Sequence, residues 1–156
     1  MTRKIISKNS KATQKLATQL AKNLLKAKTY ELKSRIMGLT GDLGAGKTTF
    51  VQGFLRALGI KGRITSPTFL IFKPYKIKVR GLKFEFQGST VYHVDCYRLH
   101  KPSNITKLGF KKILKNPENI ILIEWAEKIK KILPKNTIWI KFFHGKKENE
   151  RVIEIK

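Results

Sequence analysis

A glycine-rich segment limits the folds open to this chain of 156 residues more than any other part of its sequence. Residues 41–48 read G-D-L-G-A-G-K-T, the spacing G-x-x-x-x-G-K-S/T. Glycines let the backbone fold around an oxyanion so that successive N–H groups point at phosphates. In this motif Lys47 reaches the β- and γ-phosphates and the Thr48 hydroxyl holds Mg²⁺. The predicted nucleotide-binding residues of the loop are Gly41, Asp42, Leu43, Gly44, Ala45, Gly46, Lys47, Thr48 and Thr49.

The segments on either side of this loop fit a phosphate site. Residues 36–40 read as a buried strand, and residues 49–58 carry apolar side chains at helical spacing, with Gly59 placed to end the helix. A helix that begins at the loop directs the positive end of its dipole at the phosphates. The position of Asp42 is variable in this motif, so its side chain is assigned no chemistry.

The remaining pattern predicts an α/β protein of one domain, residues 1–156. We expect a P-loop NTPase-like mixed sheet flanked by helices, with an antiparallel C-terminal hairpin. A segment bounded by Gly81 and Gly88 alternates apolar residues and is predicted to be a surface insertion over residues 76–90. The predicted helices are residues 10–28, 49–58, 104–114 and 126–131; the predicted strands are residues 36–40, 68–72, 91–95, 119–124, 137–143 and 151–155.

The formal net charge is +24. A basic surface that meets nucleic acid or an acidic partner is one explanation. Compositional drift toward lysine, isoleucine and asparagine is the other, and the scatter of lysines along the chain favours it. The chain has a single cysteine, Cys96, and shows neither a membrane-spanning apolar run nor a signal-peptide pattern. These features predict a cytoplasmic protein with no membrane contact.

Carboxylates are scarce in this chain, so their positions are informative. Asp95 and Glu124 each end an apolar strand, where ligand groups gather in open α/β sheets. Both are candidate catalytic residues, and Glu124 is the better candidate for the metal because four apolar residues precede it. Strand-end caps or salt bridges to lysines are the alternative roles for both.

Four blocks in this order resemble the TsaE family of bacterial ATPases of tRNA threonylcarbamoyladenosine biosynthesis. They are the phosphate loop, T-S-P-T-F at residues 65–69, H-V-D-C-Y-R-L at residues 93–99 and L-I-E-W-A-E at residues 122–127. The resemblance covers about residues 10–134. It implies binding and slow, Mg²⁺-dependent hydrolysis of ATP to ADP. It also implies association with the TsaB–TsaD complex, which transfers a threonylcarbamoyl group to tRNA, and contact with tRNA indirectly or through the basic surface.

The resemblance also implies roles for single residues. Lys47 and Thr48 serve the phosphates and the metal, Glu124 lies at the metal, and Asp95 lies in a switch-II-like segment. Trp125 lies near the nucleotide, although an ordinary buried aromatic is an equal alternative. Tyr97 and Arg98 face the same cleft or the partner, and Arg98 could equally pair with Asp95. The residues of the switch-I-like loop are Thr65, Ser66 and Thr68.

The chain departs from the family pattern at three places. Ala126 stands where the family commonly has proline, and residues 104–107 are not acidic as they usually are before Leu108-Gly109. The stretch 76–90 is longer than usual. These departures affect the expected partner surface and leave the expected nucleotide site intact.

Two other functions remain open from the residues. A small-molecule P-loop kinase would need an acceptor pocket and an arginine-rich lid, but no arginine stands between Arg98 and Arg151. A basic RNA-binding module with a nucleotide switch would explain the charge, but no aromatic RNA-binding motif is present.

Overall fold

The computed structural model describes residues 2–27, 34–67, 69–77, 86 and 88–156. The strands in the described part are Arg3–Ser7 (β1), Ile36–Thr40 (β2), Phe72–Lys76 (β3), Thr90–Asp95 (β4), Ile120–Glu124 (β5), Ile138–His144 (β6) and Arg151–Ile155 (β7). The helices are Ser10–Lys26 (α1), Lys47–Ala57 (α2), Pro102–Thr106 (α3), Phe110–Lys115 (α4) and a 3₁₀ helix, Ala126–Ile132.

The strands form one mixed sheet in the order β1-β7-β6-β2-β5-β4-β3. The four central strands are parallel, since β2 pairs in parallel with β5 and β6, and β4 pairs in parallel with β5. Antiparallel pairs flank them, β3 with β4 on one side and β6 with β7 and β7 with β1 on the other. The predicted α/β class, mixed sheet and C-terminal hairpin are confirmed.

Strand β5 shows why the core has two halves. Successive side chains of a strand point to opposite faces of the sheet. Ile120 and Leu122 pack with α1 and α2 on one face, whereas Ile121 and Ile123 pack with α3, α4 and the 3₁₀ helix on the other. All five residues of β5 are buried, which explains the continuous apolar run of a central parallel strand.

Helices α1 and α2 lie in close contact. Gly53 makes this possible, because a Cβ atom there would lie 2.6 Å from the Gln14 carbonyl oxygen and 2.7 Å from its Cα. Asn9 caps α1, its side chain accepting a hydrogen bond from the Ala12 N–H at 2.9 Å. The two helices together cover one half of the core.

Three elements differ from the sequence prediction. A strand was predicted over residues 68–72, but β3 begins only at Phe72. Before it the chain turns, because the Leu70 N–H donates to the Pro67 carbonyl and Ile71 has a left-handed φ of 66°. The helix predicted over residues 104–114 is broken at Gly109, whose φ is 80°. Strand β1 was not predicted, since it is a largely exposed edge strand with only Ser7 buried.

The predicted surface insertion lies mostly outside the described residues, which here omit 78–85 and 87. Its ends are parts of β3 and β4. Phe86 is fully buried in the core half that contains α1 and α2, and the Arg35 guanidinium lies 4.5 Å from the centre of its ring. The insertion itself stays a prediction. No described helix is both long and apolar enough to cross a lipid bilayer.

Candidate functional site

A cleft of about 410 Å³ opens where three parallel strands end. Strand β2 leads into the glycine-rich loop, β4 ends at Asp95 and β5 ends at Glu124, and these two carboxylates are direct cross-strand partners. Open parallel sheets bind ligands at this edge. The residues that line the cleft are Leu43, Gly44, Gly46, Lys47, Thr48, Thr49, Ser66, Phe69, Asp95, Tyr97, Arg98, Glu124 and Trp125.

The glycine-rich loop folds over the start of α2. Gly41 has a φ of 137°, and a Cβ atom there would lie 2.3 Å from the Phe142 carbonyl oxygen, so only glycine fits. Gly41, Asp42 and Ala45 were predicted to bind nucleotide but do not line the cleft. Ala45 is buried, and the carbonyls of the other two hold the loop lysine.

Lys47 is only 4 % exposed and bends back onto its own loop. Its ammonium donates to the carbonyls of Gly41 at 2.6 Å and Asp42 at 2.8 Å, and lies 4.0 Å from the centre of the Trp125 ring. Burial lowers the pKa of Lys47 below its ordinary value, while Glu124 and more distant carboxylates oppose that shift. A buried cation whose direct contacts are neutral groups is suited to receive a phosphate.

Glu124 joins the loop to the sheet. The Thr48 hydroxyl donates to Glu124 Oε2 at 2.8 Å, and the other carboxylate oxygen, Oε1, lies 2.7 Å from His93 Nε2. Glu124 is 3 % exposed and His93 is fully buried. In the described structure His93 Nδ1 has no hydrogen-bond partner. The hydroxyl and the carboxylate form an oxygen donor set of the kind that Mg²⁺ prefers.

His93 is a site residue that the sequence analysis did not assign. Its signals are its place at the start of the H-V-D-C-Y-R-L block and its position two residues before Asp95 on β4, which puts both residues on one face. That spacing carries no chemistry by itself. The contact with Glu124 depends on how β4 pairs with β5, where His93 stands opposite Leu122.

Asp95 links β4 to the loop that precedes β3. Its Oδ2 accepts a hydrogen bond from the Ser66 hydroxyl, and its Oδ1 accepts one from the Tyr97 N–H at 2.8 Å. Asp95 is 4 % exposed. This geometry brings Ser66 of the predicted switch-I-like loop into contact with the predicted switch-II-like carboxylate. Thr65 is exposed and does not line the cleft, and Thr68 lies outside the described residues.

Aromatic residues form one wall of the cleft. Trp125 has a left-handed φ of 57°, and its ring centre lies 5.1 Å from that of Tyr97. Arg98 stacks its guanidinium 4.2 Å from the ring centre of Phe69, which is 83 % exposed. Phe69 ends the T-S-P-T-F block, but no role was predicted for it. These side chains make the mouth of the cleft apolar and cationic.

Strand β7 also reaches the glycine-rich loop. Arg151 donates from Nη2 to the Gly44 carbonyl at 3.1 Å and from Nη1 to the Glu148 and Glu150 carbonyls at 2.7 and 2.8 Å. The C-terminal hairpin therefore braces the loop from outside the cleft. Cys96, next to Asp95, is fully buried, and burial raises the pKa of its thiol to about 12, which keeps it protonated and inert.

Comparison with known proteins gives a consistent result. Residues 7–153 match the family model described as "Threonylcarbamoyl adenosine biosynthesis protein TsaE". The tRNA threonylcarbamoyladenosine biosynthesis protein TsaE of Haemophilus influenzae is 38 % identical over 122 residues, which are 78 % of this chain and 70 % of that protein. The protein of the same name from Bacillus subtilis is 39 % identical over 105 residues, 67 % of this chain and 59 % of that protein.

The fold is also found in a solved structure. The crystal structure of Bacillus subtilis YdiB superposes with a TM-score of 0.70 at 27 % sequence identity. The match covers 99 % of this chain and 84 % of that one.

Proposed function

The chain belongs to the TsaE family of threonylcarbamoyladenosine biosynthesis proteins, and on that basis we propose that it binds ATP with Mg²⁺ and slowly hydrolyses it in support of tRNA modification. One observation carries the proposal. The Glu124 carboxylate is hydrogen-bonded both to the Thr48 hydroxyl of the phosphate loop and to the buried His93, beside the loop lysine. A carboxylate held in that position is suited to phosphoryl chemistry.

Phosphate binding falls to the loop and to Lys47. The N–H groups at the start of α2 and the helix dipole favour an anion. On binding, the Lys47 ammonium exchanges the neutral carbonyls of Gly41 and Asp42 for phosphate oxygens. Burial disfavours the charged form of Lys47. A phosphate bound beside it would stabilise the ammonium and raise its pKa again.

Mg²⁺ fits the oxygen donors present. Thr48 would hold the ion directly, and Glu124 would hold it directly or through a water. The ion, when bound, neutralises charge on the β- and γ-phosphates. The Thr48 hydroxyl donates a hydrogen bond to Glu124, so the lone pairs of the Thr48 oxygen remain available to a metal ion.

Two carboxylates are available to orient the attacking water. Glu124 and Asp95 are neighbours across β4 and β5, both line the cleft, and both are almost fully buried. Asp95 is held by Ser66 and by the backbone that leads to Tyr97, so a shift of either segment moves the carboxylate. We assign the switch-like roles of Ser66 and Asp95 to this link. Trp125, in the cleft wall, is assigned to the nucleotide.

The mouth of the cleft is suited to a protein partner. Exposed apolar side chains stand there: Leu43 is 71 % exposed, Phe69 is 83 % exposed and Tyr97 is 45 % exposed. Large exposed apolar residues in one place mark interaction surfaces. We assign this surface, with Arg98, to the TsaB–TsaD complex, whose docking would exclude water from the nucleotide. The proposed location of the protein is the cytoplasm, where tRNA is modified.

Two substitutions test the site. Lys47→Ala removes a charge-assisted contact and is expected to weaken ATP affinity by about 10- to 100-fold. Glu124→Ala should leave ATP affinity within about threefold of the native value and lower phosphate release by about 10²-fold, the scale of a lost base or oriented water. Binding is measured by calorimetry and hydrolysis by phosphate release, with the exposed Lys112→Ala as the matched control.

The same assays separate the alternatives. Unchanged ATP turnover in Glu124→Ala would contradict the assigned role of that carboxylate. A P-loop kinase would transfer the γ-phosphate to an added small-molecule acceptor faster than to water. A basic RNA-binding module without enzymatic function would bind RNA but show no ATP affinity that depends on Lys47.

A further inference from the structure

A second cavity, of about 720 Å³, lies away from the nucleotide cleft. Its walls are the segment after α2 and the edge strand β3, and none of its residues lines the nucleotide cleft. We call it the basic groove. The residues that line it are Gly59, Ile60, Lys61, Arg63, Lys73, Pro74, Tyr75 and Lys76.

Four of these residues are exposed cations, Lys61, Arg63, Lys73 and Lys76. No Asp or Glu stands between Asp42 and Glu85, which is the longest stretch of the chain without a carboxylate. Within the described residues none of the four makes a salt bridge. Their positive potential is therefore not neutralised by the segments that form the groove.

Tyr75 lines the groove and packs against the core half that contains α1 and α2. The phenolic oxygen is buried and, in the described part of the chain, has no hydrogen-bond partner. Burial raises the pKa of Tyr75, so the phenol stays protonated. The Lys73 ammonium lies 5.3 Å from the centre of the Tyr75 ring, and the Lys76 ammonium is fixed by the Thr90 hydroxyl at 2.8 Å.

The groove also borders the edge of the sheet. Among the described strands, β3 is last in the sheet order and pairs with β4. We propose that the basic groove binds the sugar–phosphate backbone of RNA. Four exposed cations around one groove, with no carboxylate in the segments that form it, match the phosphates of an RNA backbone. The choice of RNA over an acidic protein rests on the proposed role in tRNA modification, but not on ATP hydrolysis.

The test measures binding of the full-length protein to an unmodified tRNA transcript by fluorescence anisotropy, without nucleotide, between 50 and 200 mM KCl. The groove variant carries Lys61→Ala, Arg63→Ala, Lys73→Ala and Lys76→Ala. The matched control removes the same charge from the other face of the sheet, with Lys107→Ala, Lys111→Ala, Lys112→Ala and Lys115→Ala. ATP affinity of each variant shows whether the nucleotide site is intact.

The groove variant is expected to bind RNA at least about tenfold more weakly, and the slope of log K against log salt should fall by about 3, at roughly 0.7–0.9 per lost phosphate contact. The control should stay within about threefold of the native protein. Lys61→Ala with Arg63→Ala, confined to an exposed segment, should give about half the change in slope even if the fourfold variant folds poorly.

Equal losses in the groove and control variants would overturn the proposal, because they would show diffuse attraction by net charge. A groove variant that binds tRNA as tightly as the native protein would overturn the proposal as well. If the groove variant instead loses binding to polyglutamate while keeping tRNA binding, the occupant is an acidic protein. If the native protein shows no ATP affinity, the proposed function is contradicted, but the proposal that the groove binds RNA is not.

Discussion

At the scale of single residues, the buried Glu124 carboxylate contacts a different neighbour with each of its oxygens. Thr48 takes one oxygen and His93 the other. A buried carboxylate needs partners to stay in place, and a histidine that holds a functional carboxylate or ligand sets its orientation. We therefore propose that His93 is a positioning residue, which would act on a bound nucleotide through Glu124.

Substitution of His93 tests this role. His93→Ala should lower the rate of phosphate release by about 10- to 100-fold, the scale of lost support for a functional ligand, while the KM for ATP changes by less than about threefold. His93→Gln keeps an N–H donor that can reach Glu124 and should recover part of the rate. A His93→Ala protein with native kcat, or equal loss in both variants at native stability, would contradict the positioning role.

Sequence alone located the loop residues because their chemistry is encoded by local spacing. The lysine and hydroxyl of the motif stand where it predicts, and Glu124 stands at a strand end. The roles of His93, Phe69 and Arg151 were not predictable in this way. Each depends on a contact between segments distant in sequence, for example Arg151 with Gly44, and no local pattern encodes such a contact.

At the scale of elements, Phe86 fixes the end of the long β3–β4 connection in the core. It is fully buried and carries the Arg35 guanidinium against its ring. Phe86→Ala should lower the free energy of unfolding by about 3–5 kcal/mol, the usual cost of a large core truncation. Urea denaturation measures this change, and an unchanged midpoint would show that the ring does not contribute to the core.

A deletion provides the control for this substitution. Replacing residues 78–85 with a short Gly-Ser linker spares Phe86 and removes only the stretch predicted to be a surface insertion. ATP affinity should stay within about threefold of the native value. Loss of folding in the deletion protein would show that the removed residues fill the core and that the insertion was wrongly predicted.

Element boundaries were predictable where one strong pattern dominated. The predicted strand 119–124 and the predicted helix 10–28 came close to the observed limits of β5 and α1. The predictions failed where the backbone departs from regular geometry, at the left-handed Ile71 before β3 and at Gly109 between α3 and α4. Such positions have a weak signal in a single sequence, because tertiary contacts decide whether the chain turns there.

At the scale of the whole molecule, charge is unevenly placed. Asp42, Asp95, Glu124 and Glu127 all act electrostatically on Lys47, so a large share of the few carboxylates surrounds the nucleotide site. The rest of the surface is left strongly basic. This arrangement suits a protein that holds Mg²⁺–ATP in an acidic cleft and approaches polyanions with its outer surface.

The link between Ser66 and Asp95 predicts how the whole molecule responds to a partner. Phe69 and Tyr97 are exposed at the mouth of the cleft, where a docked partner would cover the nucleotide. Docking of TsaB–TsaD against this mouth should order the segments joined through Asp95 and position the attacking water. The free protein is therefore expected to be a slow ATPase.

Steady-state phosphate release, measured for the protein alone and after addition of purified TsaB–TsaD, tests the account most directly. We expect the rate to rise at least about tenfold with the partners, as closure and orientation of the site contribute. Asp95→Ala should bind ATP but abolish the rise, and the exposed Lys112→Ala should keep it. If the protein alone already hydrolyses ATP as fast as the mixture, partner activation is contradicted and a self-sufficient ATPase or kinase explains the site instead.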